Sequence, residues 1–242
     1  MRVTPVVHAS SPEQAVEQAG IAFDEGADGV FLIEHTGGPI DLLDDYKAVR
    51  AAYGDRYIGL NYLTDPLSGY RLTDRALELG YINQPPDALW FDDITGFTDD
   101  PILNRAYMNK LDAVRRKNPQ LDKIQLLGGV AFKYTPSYTD DAQPAATQVR
   151  DLESFLDVVT TSGPGTNEAP SPTKIAAMKR AAEEHNKPLA VASGISADNI
   201  KDYIGNVDQI LVASSLETEP YSGIFVPERI RELVRAAKQR AS

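Results

Sequence analysis

The stretch Ala190-Val191-Ala192-Ser193-Gly194-Ile195-Ser196-Ala197-Asp198-Asn199-Ile200 (AVASGISADNI) passes from a buried strand into a helix with no loop between them. Small apolar residues run up to Ser193-Gly194, Ser196 reads as an N-cap, and Ala197, Asp198 and Asn199 open a short helix. Glycine at such a junction lets backbone come close to a ligand, and free N–H groups at a helix start attract an anion. The same letters also fit a plain tight turn. The position of the junction in the chain decides between the two.

Outward from it, the pattern recurs. Val6-Val7-His8, Val30 to Glu34, Tyr57 to Leu63, Ala88 to Asp93, Ile124 to Lys133, Val158 to Thr161, Leu189 to Ala192 and Gln209 to Ala213 are short runs rich in β-branched and apolar residues. Each is followed by a helical pattern, and Ser11-Pro12 and Ser171-Pro172 open helices with serine as cap and proline at the first helical position. The fifth helix is expected over Thr147–Leu156 and the seventh over Ala197–Ile204, with Tyr134–Pro144 as a polar surface loop between strand and helix. The strands are near-continuous apolar runs, as parallel strands buried on both faces require.

Eight strand–helix units in 242 residues match the arithmetic of a closed (β/α)8 TIM barrel. The rival is a doubly wound open sheet, which carries a Gly-rich fingerprint after its first strand. His8-Ala9-Ser10-Ser11 is not one. The expectation is a single α/β barrel domain over residues 1–242, with no internal sequence repeat and no linker.

Bulk composition narrows function. Lys and Arg number 24 against 35 Asp and Glu, a net charge of −11, which repels polyphosphate backbones and argues against nucleic acid as a partner. The absence of cysteine removes disulfides, thiol nucleophiles and thiolate metal sites. No apolar run approaches the roughly 20 residues that span a membrane, and the N-terminus does not read as a signal peptide, so a cytoplasmic protein without a membrane partner is expected. The sequence leaves homo-oligomer formation open.

In a barrel, chemistry collects where strands end and the following loops begin. Those ends carry His8, Glu34, His35, Asn61, Asp65, Asp92, Asp93, Lys133, Thr160, Ser162, Ser193, Ser214 and Ser215. The bottom ends, including Asp28, Asp87, Asp157 and Asp208, read as turns. The opening stretch is the seventh unit, and Ala213-Ser214-Ser215 makes a second small-residue turn one strand later. Backbone N–H groups of two such turns can converge on a phosphate. The phosphate-binding candidates are therefore Ser193, Gly194, Ser196, Ser214 and Ser215, helped by Gly163 and Gly165. Asp198, an acid in the first turn, opposes an anion unless it faces outward.

The candidates for the reacting end are Glu34, Asn61, Asp92 and Lys133: carboxylates for acid–base work and a lysine to pair with an anion or act as a base. Glu34 and Asp92 together offer oxygen ligands for Mg2+, the one cofactor the sequence suggests. His8 and His35 stand on adjacent strand tops, but no spacing supports a zinc site, and His185 sits in a helix tail.

With these residues in view, the chain resembles the BtpA family of (β/α)8 barrels, related to ribulose-phosphate-binding barrels. The likeness lies in Glu34-His35-Thr36-Gly37-Gly38-Pro39, Gly59-Leu60-Asn61-Tyr62-Leu63-Thr64-Asp65, Lys133, Thr161 to Pro170, Ala192 to Asn199 and Val212 to Leu216. The sequence departs at His8-Ala9-Ser10-Ser11-Pro12, at Gly129, at Tyr134, and in lacking the family's arginine after the fourth strand. The resemblance implies a phosphate-binding barrel acting on a small phosphorylated ligand, a sugar phosphate or nucleotide-like compound. Isomerase or lyase chemistry is the leading expectation. A non-catalytic assembly or regulatory barrel and a metal-dependent hydrolase of phosphate compounds are the alternatives.

Overall fold

The structure is a computed structural model that describes residues 1–94 and 101–239. The expected domain span of 1–242 thus includes short segments outside the described residues. The strands are β1 (Arg2–Ala9), β2 (Val30–Glu34), β3 (Ile58–Asn61), β4 (Ala88–Phe91), β5 (Gln125–Gly129), β6 (Val158–Thr161), β7 (Leu189–Ala192) and β8 (Gln209–Val212). They pair in parallel in sequence order and close through β1 on β8, with Val6 opposite Phe31 and Pro5 opposite Val212. The helices are α1 (Pro12–Asp24), α2 (Pro39–Tyr53), α3 (Pro66–Glu78), α4 (Pro101–Lys117), the single turn α5 (Pro119–Asp122), α6 (Ala142–Leu152), α7 (Pro172–Glu183) and α8 (Pro227–Lys238). The closed (β/α)8 barrel is thus the observed fold. Among the described residues no helix is long and apolar enough to cross a membrane.

Strand parity sorts the core into two layers. Val6, Phe31, Ile33, Ala88, Trp90, Leu127, Val158, Ala190, Ala192 and Leu211 meet inside the barrel. Val7, Leu32, Leu60, Leu89, Leu126, Val159, Val191 and Ile210 point outward to the helices. Gly59 makes room for the interior: a β-carbon there would lie 2.2 Å from the Phe31 ring.

Three expected boundaries change. α6 begins at Ala142, five residues before Thr147, so Pro144 lies in its first turn, where its missing N–H costs nothing. β5 ends at Gly129, and Lys133 sits in the loop beyond it rather than at the strand end. After β7 there is no α-helix over Ala197–Ile204, only a 3-10 turn at Ile200–Asp202. Asn199 explains this. Its side chain accepts from Ser196 N–H at 2.9 Å and donates to Gly194 O at 2.7 Å, closing a turn that competes with helix. Ser196 is therefore not the N-cap.

A repeat does exist, in role rather than in overall sequence. Asp28, Asp87, Asp157 and Asp208 stand at the starts of the even strands. Each accepts, at 2.8 Å, the N–H of the first residues of the preceding odd strand: Val3, Ile58, Leu126 and Leu189. Each returns its own N–H to the carbonyl of that same residue. Each also faces a cation from a neighbouring helix: Lys238 at 4.0 Å, Arg50 at 2.6 Å, Arg115 at 2.5 Å and Lys179 at 2.8 Å. The barrel floor is thus built four times from a two-strand unit. The expectation that these aspartates are turn residues holds; the recurrence is one of structural role, which the expectation of no internal sequence repeat does not concern.

Candidate functional site

The C-terminal ends of the strands enclose a cavity of about 520 Å3. Its floor is the top layer of the barrel interior: Val6, Ile33, Trp90, Ala192 and Leu211. Parity decides which polar residues reach it. Asp92 continues the inward series Ala88 and Trp90, and His8 continues Val6. His35 continues Phe31 and Ile33; all three polar residues line the cavity.

Glu34 has the opposite parity and does not line the cavity. Its Oε1 accepts from Thr36 N at 2.7 Å, Thr36 Oγ1 at 2.8 Å and Gly37 N at 3.0 Å, so it closes the turn that leads into α2. Those bonds hold its pKa below the usual carboxylate value although burial acts against them. The expected Glu34–Asp92 oxygen pair for Mg2+ is therefore not assembled. Among the described residues no three His, Asp or Glu side chains gather as a metal set.

Asp92 and Lys133 do share the cavity. Burial pushes the Asp92 carboxyl up, and the Asn61 hydrogen bond and the Lys133 charge pull it back. Burial pushes the Lys133 ammonium down, and Asp92 opposes that. Asn61 is 1% exposed and does not line the cavity: its Nδ2 donates to Asp92 Oδ1 at 3.1 Å, and its Oδ1 accepts from Leu63 N at 2.9 Å. Lys133 is positioned by its backbone N–H on Ser162 Oγ at 2.7 Å, with its Nζ 3.4 Å from Thr166 Oγ1.

The turns after β7 and β8 form the opposite wall. Ser193, Gly194, Ser196, Ser214 and Ser215 all line the cavity. Two of the hydroxyls have structural tasks: Ser193 Oγ donates to Gly165 O and Ser215 Oγ to Ile195 O, each at 2.8 Å. The second bond ties the two turns together. The N–H groups of Gly194, Ile195, Ser214 and Ser215 have no protein acceptor among the described residues. Asp198 is exposed and outside the cavity lining.

Gly194 does not open space for a ligand. At φ +65°, its missing β-carbon would lie 2.2 Å from Ala169 N, so the glycine lets the loop after β6 pack against it. Gly163 and Gly165 do not line the cavity. They let that loop fold on Glu168, and it presents Thr166 and Asn167 instead.

Sequence reasoning missed three participants. Glu217 is wholly buried, and its Oε1 lies 2.7 Å from His8 Nδ1. Its Oε2 accepts from Tyr221 N at 2.8 Å. The Tyr221 ring stacks on His8 at 5.4 Å, and the His8 and His35 rings meet edge-on at 5.2 Å. The convergence of the two histidines was legible from their places on adjacent strands; Glu217, 209 residues from His8, had no local signal. Trp90, missed as a cavity residue although its inward parity was readable, has an Nε1 with no hydrogen-bond partner among the described residues. His185 pairs with Glu153 at 3.4 Å, away from the cavity.

No family model matches the chain, and no curated protein matches it in sequence, so the BtpA resemblance rests on the motifs alone. Solved structures do match in fold. One is (S)-3-O-geranylgeranylglyceryl phosphate synthase from Thermoplasma acidophilum in complex with sn-glycerol-1-phosphate, with TM-score 0.67 and 13% identity over 98% of this chain and 93% of that one. Phosphoribosyl anthranilate isomerase from Thermotoga maritima matches with TM-score 0.64 and 13% identity over 98% of each chain. Thiamine phosphate pyrophosphorylase from Pyrococcus furiosus matches with TM-score 0.61 and 14% identity over 98% and 95%. At such identities the likeness is one of fold.

Proposed function

We propose that the barrel is an enzyme acting on a small phosphorylated metabolite, a sugar phosphate or nucleotide-like compound, by isomerase or lyase chemistry. The observation that carries this reading is the set of four unused N–H groups, at Gly194, Ile195, Ser214 and Ser215, on the wall of a cavity that also holds Asp92 and Lys133. Backbone donors supply local positive potential where the net charge of −11 would otherwise repel an anion. Lys133 is the only lysine or arginine among the described lining residues, which suits a single phosphate better than a polyphosphate. The named substrates of the fold neighbours, and the BtpA-like motifs, agree with this reading without carrying it.

A thermal-shift screen with phosphorylated metabolites and inorganic phosphate tests it. A ligand at about 100 times its Kd stabilises by roughly 2.7 kcal/mol, which raises the melting temperature of a chain this size by roughly 5–10 °C. The fitting compound should do so, and its turnover should fall in Lys133→Ala. No stabilisation by any phosphorylated compound at millimolar concentration contradicts the proposal.

A further inference from the structure

We propose that His8 is the proton-transfer group of this cavity, with Glu217 as its positioning residue, and that it acts on the carbon beside the carbonyl of a phosphorylated hydroxy-carbonyl compound. This rests on the phosphate reading above and goes beyond it. Glu217 is fully buried, and a carboxylate only accepts hydrogen bonds, so the 2.7 Å contact places the proton on His8 Nδ1. The other nitrogen, Nε2, has no partner among the described residues, and the ring lines the cavity. Glu217 is itself fixed, by the Tyr221 N–H on its second oxygen and by Arg229 on its backbone carbonyl. A buried carboxylate orienting one imidazole nitrogen while the other faces open space is the arrangement of a general base.

Topology places it. β1 pairs with β8, so His8 is next to the Ser214-Ser215 turn, whereas β5 and the Lys133 loop are across the closed barrel. A ligand with its phosphate on the four N–H groups therefore brings a neighbouring carbon to His8 and its carbonyl oxygen toward Lys133. In the step, Nε2 takes the proton from that carbon. The C–H electron pair becomes the enediolate double bond as the carbonyl π pair moves onto oxygen, which the Lys133 ammonium stabilises. The imidazolium exchanges its proton with solvent and returns one to carbon.

The test uses dihydroxyacetone phosphate, fructose 6-phosphate and inorganic phosphate on the intact chain. Binding is read by melting temperature, and proton transfer by loss of the C–H signal in D2O. The proton's position on His8 is read by long-range 1H–15N spectra above pH 8, with His8→Asn giving the assignment. At least one ketose phosphate should stabilise the wild type and exchange. In His8→Asn the same stabilisation should persist with exchange slowed roughly 100- to 10,000-fold. The wild-type spectrum should show Nδ1–H, and Glu217→Gln, whose amide can donate to Nδ1, should move the proton to Nε2; His8→Gln repeats the kinetic test if His8→Asn folds poorly. Binding of a ketose phosphate with exchange of neither, exchange at the wild-type rate in His8→Asn, or an Nε2–H wild type overturns the assignment and leaves the phosphate site standing. Binding of inorganic phosphate but of neither ketose phosphate overturns the substrate class alone. If nothing binds, the phosphate reading falls and this assignment with it.

Discussion

The four floor aspartates should cost different amounts when truncated, in an order set by the cations they face. Each Asp→Ala change removes the same 2.8 Å bond to a strand N–H. Leaving that donor without its acceptor costs about 1–2 kcal/mol. The carboxylates are similarly exposed, between 35% and 41%, so they do not set the order. The cations do. Lys238 is 53% exposed and 4.0 Å from Asp28, a surface pair worth about 0–1 kcal/mol. Arg115 is 10% exposed and 2.5 Å from Asp157, so removing the carboxylate strands a nearly buried guanidinium at roughly 2–3 kcal/mol more. Asp28→Ala should therefore lose about 1–3 kcal/mol and Asp157→Ala about 3–5 kcal/mol, with Asp87→Ala and Asp208→Ala between them. Urea unfolding by circular dichroism reads these values, and melting temperatures should differ by roughly 4–8 °C between the extremes. Equal losses across the four, or a larger loss at Asp28 than at Asp157, would refute the reasoning.

Gly194→Ala puts a β-carbon against the Ala169 backbone at φ +65°. It should cost about 2–4 kcal/mol in urea unfolding and weaken phosphate-compound binding, because the Gly194–Ile195 donors shift; unchanged binding would detach the glycine from the site. Asp45 is 1% exposed with Oδ2 unpartnered, and burial with nearby Glu34 and Asp41 raises its pKa from 3.8 to about 6. The folded state thus binds the extra proton between about pH 4 and 6, and stability is lost as pH rises through that window. Asp45→Asn should escape this loss and gain roughly 2–3 kcal/mol on the wild type between pH 4 and pH 7, as read by unfolding at both pH values; a gap that does not widen contradicts the sign.

How much was legible depends on the range of the interaction. The order of strands and helices could be read from local apolar runs and Ser-Pro caps, because α1 and α7 do start at Ser11-Pro12 and Ser171-Pro172 with serine side chains accepting from the third helical N–H. Parity was also readable. Phe31 and Ile33 share a face with His35, which selects the histidine over Glu34, yet the carboxylate's chemistry outweighed its parity in the sequence reading. The turn at Ser196–Asn199 misled because serine as cap and asparagine as turn-closer offer the same letters, and only the Asn199 bonds separate them. Glu217 could not be found locally, since its bond to His8 exists only because the barrel closes β1 on β8. The floor aspartates were recognisable as turns, but their shared role needed the pairing register.

The central claim is that the turns after β7 and β8 hold a phosphate through their backbone. Titrating 15N-labelled protein with inorganic phosphate and following amide shifts tests it at the residues concerned. The amides of Gly194, Ile195, Ser214 and Ser215 should move together along one saturable curve, with little change on the barrel floor near Asp87 and Asp208. Amides that stay still at these four positions, or that move only elsewhere on the surface, would contradict it.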